Sequence, residues 1–472
     1  MAEGAVATPR LVVAGVSSGV GKTTVSVALA RALRARGLRP ALFKCGPDYL
    51  DPTYHARATG TASQNLDGWM MGRDAVLSTF AHAAAGADVA IIEGMMGLFD
   101  GASATSDAGS TAEIAKWLAA PVALVVDAGA MARSIAAVAL GFTSFDPDLR
   151  VGALVANRVG GRAHLELLKS AQRSPPILAA FPGDAEHAFP ERHLGLRTAD
   201  ETTLPDALLD HWGNLASEWF ALDALIELAR SAPPIAAPPG PALAASPATC
   251  RIGIARDAAF HFYYADNLRR LESLGAELVP FSPIADRALP PVDGLYVGGG
   301  YPEVMAGALA SNLAMREAVK AFADRGGPIY AECGGLMYLS RAIVAVDGAR
   351  HPMVGVIPAE ACMRPSLRSL GYVEVVVTEQ SILGEAGTRF RGHQFRYSEL
   401  SPPPEPSSVD RIYSVRGRRA REDEREGYRV KNVLASYVHA HWASNPKVPR
   451  EFVRSCQAFR SIRAESGEPG AS

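Results

Sequence analysis

Ten residues near the start of the chain, Gly15-Val-Ser-Ser-Gly-Val-Gly-Lys22-Thr23-Thr24, constrain its fold more than any other stretch. They follow a short apolar run, Leu11–Ala14. They precede a segment in which Val25, Ala28, Leu29, Ala32 and Leu33 fall on one helical face until Gly37. A strand, a glycine-rich turn and a helix in this order make a phosphate cradle. The glycines let backbone N–H groups turn toward an anion, and the helix N-terminus adds its positive dipole end. In such a cradle Gly15, Ser18, Gly19 and Gly21 shape the loop, and Thr24 continues it into the helix. Lys22 reaches the β and γ phosphates, and the Thr23 hydroxyl is offered to Mg²⁺. The spacing is one residue longer than GxxxxGK[ST], whose first position is Val16 here while the glycine stands at Gly15.

The rest of the chain repeats the strand–helix alternation. Strands are expected at Ala41–Phe43, Val89–Ile92, Val122–Val126, Val151–Val155, Ile252–Ala255, Leu278–Phe281, Gly294–Val297 and Ile329–Ala331, with a helix near Asn267–Leu274. This alternation argues for an α/β fold of mostly parallel sheets with helices on both faces. Ligands of such sheets sit beyond the carboxyl ends of the strands. A chain of 472 residues has room for two or three domains. Ser231–Pro247, SAPPIAAPPGPALAASP, is too rich in proline for a helix or a central strand. We therefore divide the chain into residues 1–230, a linker at 231–248, a second domain at 249–463 and a frayed tail at 464–472. Ser401–Ser408 reads as a long loop.

Lys+Arg number 47 against 49 Asp+Glu, so bulk attraction to nucleic acid or an anionic membrane is not expected. No apolar run approaches the ~18 residues of a membrane helix. The five cysteines are scattered without a CxxC pair and the N-terminus lacks a secretory pattern, so a reducing cytoplasm is the expected location.

Carboxylates stand at the later strand ends. Asp48 and Asp51 follow the second strand, in CGPDYLDP, where they could equally be turn residues beside Pro47 and Pro52. Glu93 directly follows the apolar run Val89–Ile92, a place where a carboxylate must be paired or metal-bound, and Asp100 closes EGMMGLFD. Thr23, Asp48 and Glu93 are the candidate Mg²⁺ ligands. Ser110-Thr-Ala-Glu113 reads as a capping box instead. Asn157 reads as a strand-end cap or a ligand-facing residue.

A second chemical signal lies at Tyr330-Ala-Glu-Cys333-Gly-Gly. A Cys on a sharp turn between a strand and a helix is presented at the sheet edge, and the helix N-terminus favours its thiolate. Gly334 permits the turn and aims its N–H where an oxyanion would form. The run Gly298-Gly299-Gly300 offers further donors. His439, in Ser436-Tyr-Val-His439-Ala-His441, is the candidate base, with His393 as its rival.

The segments FKCGPDYLDPTYH, NLDGWMMG, EGMMGLFDGAS and GSTAEIAKWL closely resemble the cobyrinic acid a,c-diamide synthases of corrinoid biosynthesis, over nearly the whole chain. Their first domain is similar to dethiobiotin synthetase, whose loop has the same longer glycine spacing. The resemblance implies that Lys22 and Thr23 contact ATP phosphates and metal. Asp48, Asp51, Glu93 and Asp100 would bind Mg²⁺ or position the reacting carboxylate, and Asn157 would lie near adenine. The second half resembles class I glutamine amidotransferases, in which Cys333 would attack glutamine and His439 would assist. Gly299, Gly300 and Gly334 would form the oxyanion hole. The usual acid two residues after the histidine is His441 here, which leaves the group that orients His439 unidentified. RGHQFRYS has Gln394 and Arg396 where relatives carry an acid and a His, which puts a catalytic role for that segment in doubt. The implied partners are ATP, L-glutamine and cobyrinic acid, with metal-free hydrogenobyrinic acid or another tetrapyrrole as alternatives and a homodimer as a compatible assembly. The contrasting reading, a partitioning-type nucleotide switch, has no use for a glutaminase domain and places a Lys where this chain has Ser17.

Overall fold

The computed structural model describes residues 5–183, 204–238, 248–405, 408–418 and 422–465. The chain forms two compact units, Met1–Gly240 and Pro241–Ser472.

The first unit is built on seven strands: β1 Arg10–Gly15, β2 Pro40–Cys45, β3 Gln64–Leu66, β4 Val89–Glu93, β5 Val122–Asp127, β6 Val151–Val159 and β7 Ile177–Pro182. They run in the order β3-β2-β4-β1-β5-β6-β7 with every pairing parallel. A strand covered on both faces is apolar along most of its length, and every residue of β1 and β4 is buried, including the charged Arg10 and Glu93 at their ends. The parallel arrangement brings Gly15, Cys45, Glu93 and Asp127 to one edge. Helix α1, Lys22–Ala35, starts there. Helix α2, Asp51–Thr59, has Pro52 in its first turn, where the missing N–H costs nothing. Ser110 caps the helix Thr111–Trp117 by accepting from the Glu113 N–H at 3.2 Å, while Glu113 returns to the Gly109 N–H at 2.8 Å.

The proline-rich stretch starts as part of this unit. Ile235–Ala236 pairs antiparallel with Ala5–Val6 at an edge, where proline neighbours are tolerated. The fully buried Arg10 guanidinium donates to the carbonyls of Leu118 (2.5 Å), Thr8 (3.2 Å) and Pro233. Residues 239–247 of the expected linker lie outside the described residues.

The second unit carries a ten-stranded sheet: β8 Cys250–Ala255, β9 Ala276–Phe281, β10 Gly294–Val297, β11 Ile329–Glu332, β12 Ser369–Val377, β13 Arg389–Arg396, β14 Asp410–Gly417, β15 Glu424–Val430, β16 Val433–Ser436 and β17 His439–His441. The order is β9-β8-β10-β11-β16-β15-β14-β12-β13-β17. The expected parallel pattern covers β9 to β16, and every pairing beyond β16 is antiparallel. The antiparallel half was not foreseen because its strands bury one face only. In β12, Val373, Val375 and Val377 are buried and Glu374 is exposed, the period-2 signature of hairpin strands. The sheet curls. β16 and β17 are separated by two residues in the chain, yet β15, β14, β12 and β13 lie between them. A smaller four-stranded sheet takes in Ser340–Val344, Arg350–Pro352, Ile357–Met363 and Ser398–Ser401.

The C-terminal helix runs over Lys447–Glu465, so residues 464 and 465 of the expected frayed tail are helical; residues 466–472 lie outside the described residues. The helix buries Cys456 against Gly294, where any Cβ would fall 2.3 Å from the sulfur. No helix among the described residues is long and apolar enough to cross a membrane.

Candidate active sites

In the first unit the turn after β1 has the glycine-dependent backbone of a phosphate loop. Gly19 and Gly21 have φ of 77° and 95°, where a side chain is strained. A Cβ on Gly15 would lie 2.6 Å from Val20 Cγ2, which explains a glycine one place earlier than the common spacing. Lys22 folds over the loop and donates to the carbonyls of Ser17 (3.0 Å) and Met96 (2.5 Å). Burial, and then the neighbouring Lys44, push its ammonium down to about 8. Asn157 braces the loop from β6: its amide donates to the Val20 carbonyl at 2.7 Å and packs under Gly21. Arg158 reaches the Gly19 carbonyl at 3.0 Å and pairs with Asp127.

Beneath the loop lies a buried charge cluster. Glu93 Oε1 accepts from the Thr23 hydroxyl at 2.7 Å and from Lys44 Nζ at 2.8 Å, and Oε2 meets His55 Nε2 at 2.7 Å. Lys44 also pairs with Asp51 at 2.6 Å and donates to the Gly94 carbonyl at 3.1 Å. Burial opposes both charges, but the partners outweigh it. Asp51 and Glu93 hold the Lys44 ammonium above its usual range, and Lys44 and His55 hold Glu93 below the usual carboxylate range.

Thr23, Asp51 and Glu93 are thus brought together. Asp48 Oδ1 accepts the N–H groups of Leu50 (2.7 Å) and Asp51 (3.0 Å) at the start of α2, and Asp100 accepts the Gly97 N–H at 2.9 Å. Among the described residues no group of three or more acidic, His or Cys side chains could hold a metal by itself. The donor set, one hydroxyl backed by a carboxylate, fits a hard cation that arrives with phosphates and takes its other oxygens from them. Lys44 and His55 were missed from the sequence. Their signals were a lysine at the end of an apolar strand and a histidine four residues after Asp51 on one helical face.

In the second unit Cys333 sits at the end of β11 with φ 48° and ψ −100°, a strained conformation for a non-glycine residue. The helix Gly334–Leu339 follows it directly. A Cβ on Gly335 would fall 2.1 Å from the Val297 carbonyl oxygen, and one on Gly334 would meet Pro302 at 2.9 Å and the Gly300 nitrogen at 3.2 Å. Gly300 and Gly334 are therefore neighbours beside Cys333. Gly299 lies against the His439 ring, where a Cβ would fall 2.5 Å from Cε1. The Cys333 N–H donates to the Ser436 carbonyl at 2.7 Å, tying the elbow to β16.

The thiol is not the ready thiolate expected from the helix N-terminus. Burial pushes it up to about 12, the Glu303 charge adds to this, and the Gly334 N–H offsets only part. His439 is buried and held down to about 3 by desolvation, so thiol and imidazole are both neutral at rest. His393 stacks on the His439 ring at 4.9 Å and meets the Tyr264 hydroxyl at 3.0 Å. The doubted RGHQFRYS segment does touch the site: the Phe395 carbonyl accepts from Cys333 Sγ at 3.8 Å. Gln394 instead accepts from Ser369 at 2.8 Å, and Arg396 lies over the Tyr437 ring at 4.4 Å. Glu332, buried next to Cys333 in the chain, lies 4.0 Å from His439 Nδ1.

Comparison with known proteins follows the same division. The CobQ/CobB/MinD/ParA nucleotide binding domain family matches residues 11–192, and the CobB/CobQ-like glutamine amidotransferase domain family matches residues 251–447. The chain is 50% identical over 448 residues to the cobyrinate a,c-diamide synthase of Leptospira interrogans, covering 95% of this chain and 98% of that one. Identity to the synthase of the same name from Syntrophotalea carbinolica is 47% over 456 residues, covering 95% and 99%. Identity to that from Dehalococcoides mccartyi is 41% over 465 residues, covering 96% and 99%.

Proposed function

The chain belongs to the cobyrinate a,c-diamide synthase family, and from that premise we propose that it amidates the a and c acetate carboxylates of cobyrinic acid, taking nitrogen from glutamine and driving force from ATP. The observation that carries this reading is the presence, in one chain, of a phosphate loop set over a buried Thr23–Glu93–Lys44 cluster and of a strained cysteine elbow whose preceding residue, Glu332, lies 4.0 Å from His439.

Amide formation requires a carboxylate oxygen to become a leaving group. The substrate carboxylate attacks the γ-phosphorus of ATP, ADP departs, and an acyl phosphate results. The loop N–H groups from Gly19 to Thr24 hold the phosphates, and Lys22 moves from the Ser17 and Met96 carbonyls to the γ-phosphoryl oxygens. Lys44 places a second fixed cation below the loop. Bound Mg²⁺, held through the Thr23 hydroxyl, would neutralise phosphate charge. Ammonia then attacks the acyl carbon and releases phosphate.

Glutamine supplies the ammonia. Cys333 Sγ attacks the side-chain carboxamide as His439 takes the thiol proton. The oxyanion is met by the Gly300 and Gly334 amides, and the proton passes to the departing ammonia. Water then hydrolyses the thioester to glutamate. Two such cycles consume two ATP and two glutamine per corrinoid.

A place for the macrocycle adjoins Asp100. The ring of Phe99 packs at 5.7 Å on Phe142 and 4.6 Å on Phe145. These residues, with Ala137, Val138 and Gly141, line an apolar depression of about 330 Å³. It offers a wall for one face of the corrin ring while a peripheral acetate approaches the loop that carries Asp100. The deciding assay incubates the purified chain with cobyrinic acid or hydrogenobyrinic acid, ATP, Mg²⁺ and glutamine. Mass spectrometry should find two carboxamides gained on the cobalt corrinoid; no amidation of either acid would refute the assignment.

A further inference from the structure

We propose that Glu332, the residue immediately before the nucleophile, positions His439 and completes a Cys333–His439–Glu332 relay, standing in for an acid at the place this chain gives to His441. The inference rests on the glutaminase reading of the second unit.

Glu332 ends β11 fully buried. Its Oε1 accepts from the Tyr330 hydroxyl at 2.7 Å and from the Ala440 N–H at 3.0 Å. Its Oε2 accepts from the Tyr296 hydroxyl at 3.0 Å and lies 4.0 Å from His439 Nδ1. An ionised carboxylate has about four acceptor positions. Three are filled by these donors, and the last belongs to the oxygen that faces the imidazole. Ala440 neighbours His439 on β17, so the carboxylate is pinned to the strand that carries the base. The other histidines are not arranged for this task. His393 meets His439 face to face, with rings 17° from parallel, and His441 Nδ1 faces the Ala443 N–H at 3.4 Å.

At 4.0 Å the carboxylate acts on His439 as a nearby negative charge that stabilises the imidazolium; once the pair closes to hydrogen-bond distance in the glutamine complex, it fixes the tautomer in which Nε2 accepts the thiol proton. In an interior that disfavours every charge, this is the contribution that lets the neutral thiol and imidazole react. The charge state of Glu332 varies near neutrality, because burial lifts it to about 7 against its three donors. Two further buried carboxylates of this unit titrate in the same window: Glu303, whose charge acts on Cys333, and Glu426, which accepts from the Ser436 hydroxyl and the Tyr437 N–H, are both lifted to about 7 by burial. The other groups around it do not change there. Tyr263, Tyr296, Tyr330 and Tyr413 are pushed up by burial and stay neutral, and burial holds His439 and His393 neutral. Ionised Glu332 is the active form, so glutamine turnover should rise with pH through that value.

The test compares the full-length wild type with Glu332→Gln, Glu332→Asp and Cys333→Ala, following glutamate release from glutamine between pH 5.5 and 9. Glu332→Gln should lower kcat about 100-fold with KM little changed and flatten the acid limb near pH 7, and Glu332→Asp should recover part of both. Wild-type kcat and limb in Glu332→Gln, or a loss confined to KM, would overturn the role of Glu332 while Cys333→Ala is inactive. Glutamate release surviving in Cys333→Ala would instead overturn the glutaminase site itself. Should Glu332→Gln not fold, ring ¹⁵N spectra of histidine-labelled wild type decide. A proton on His439 Nδ1 is expected, and the Nε2–H tautomer contradicts the relay.

Discussion

Lys44 and Glu93 face each other across β2 and β4, paired in register, with Nζ 2.8 Å from Oε1 and both side chains buried. Removing the cation strands two carboxylates, Glu93 and Asp51, in the interior. Lys44→Met should destabilise the chain by about 3–5 kcal/mol, the usual cost of breaking a buried pair. The pH dependence has a definite sign. Glu93 is held below the ~4.3 of an unfolded glutamate, so its contribution is present above that pH and fades as acid protonates the folded state. Lys44→Met should therefore lose less stability than wild type between pH 7 and pH 3, with the difference arising below about pH 4.3. Urea unfolding at the two pH values checks this, and equal midpoints for both proteins at pH 7 would contradict it.

Cys333→Ala removes the thiol and leaves the sequence of the phosphate loop intact. Amidation with glutamine should disappear, while amidation with high ammonium and ATP should continue at a comparable rate. Product masses with each nitrogen source provide the readout, and glutamine-driven product from this variant would refute the assignment.

Asn157 and Gly21 test the loop brace. Asn157→Ala deletes the donor to the Val20 carbonyl and should raise KM for ATP about tenfold, in line with a lost buried hydrogen bond. Gly21→Ala should be worse, since its Cβ would fall 2.1 Å from Asn157 Nδ2 at a φ of 95°. Combining the two relieves the collision but not the backbone strain, so the double variant should remain below Asn157→Ala in ATP turnover. A double variant equal to Asn157→Ala would show that φ at this position is not limiting.

Phe142→Ser tests the apolar wall. Burying a phenylalanine against a ligand is worth about 1.5–3 kcal/mol, so KM for the corrinoid should rise roughly tenfold or more, with KM for glutamine unchanged. An unchanged corrinoid KM accompanied by altered sedimentation would make the depression a contact between copies of the chain.

The parallel sheets and the phosphate loop were legible because their signals are local: continuous apolar strands, a glycine-rich turn and a helical period in immediate succession. The sharp turn at Cys333 was legible for the same reason. Lys44, His55 and Glu332 were not, because each acquires its meaning from residues far along the chain. Lys44 reaches Glu93 across a strand pairing, and Glu332 meets Tyr296, Ala440 and His439 only after three strands assemble. The thiolate expectation failed on a similar ground. The helix N-terminus is written in the local sequence, whereas the burial that outweighs it is produced by the whole unit. The antiparallel half of the second sheet escaped notice because one-sided burial leaves its strands half polar.

The curl that brings β16 and β17 to separate places in the sheet turns Val433–His441 into a ruler. One end of this stretch grips the elbow through the Ser436 carbonyl, and the other delivers His439 to Glu332. Both marks are read off the same nine-residue length, so a single inserted or deleted residue between them shifts His439 against Cys333 and turns alternate side chains to the wrong face. Length variation in this half of the molecule belongs in the hairpin connections, and this stretch should be the last part of the chain to accept it.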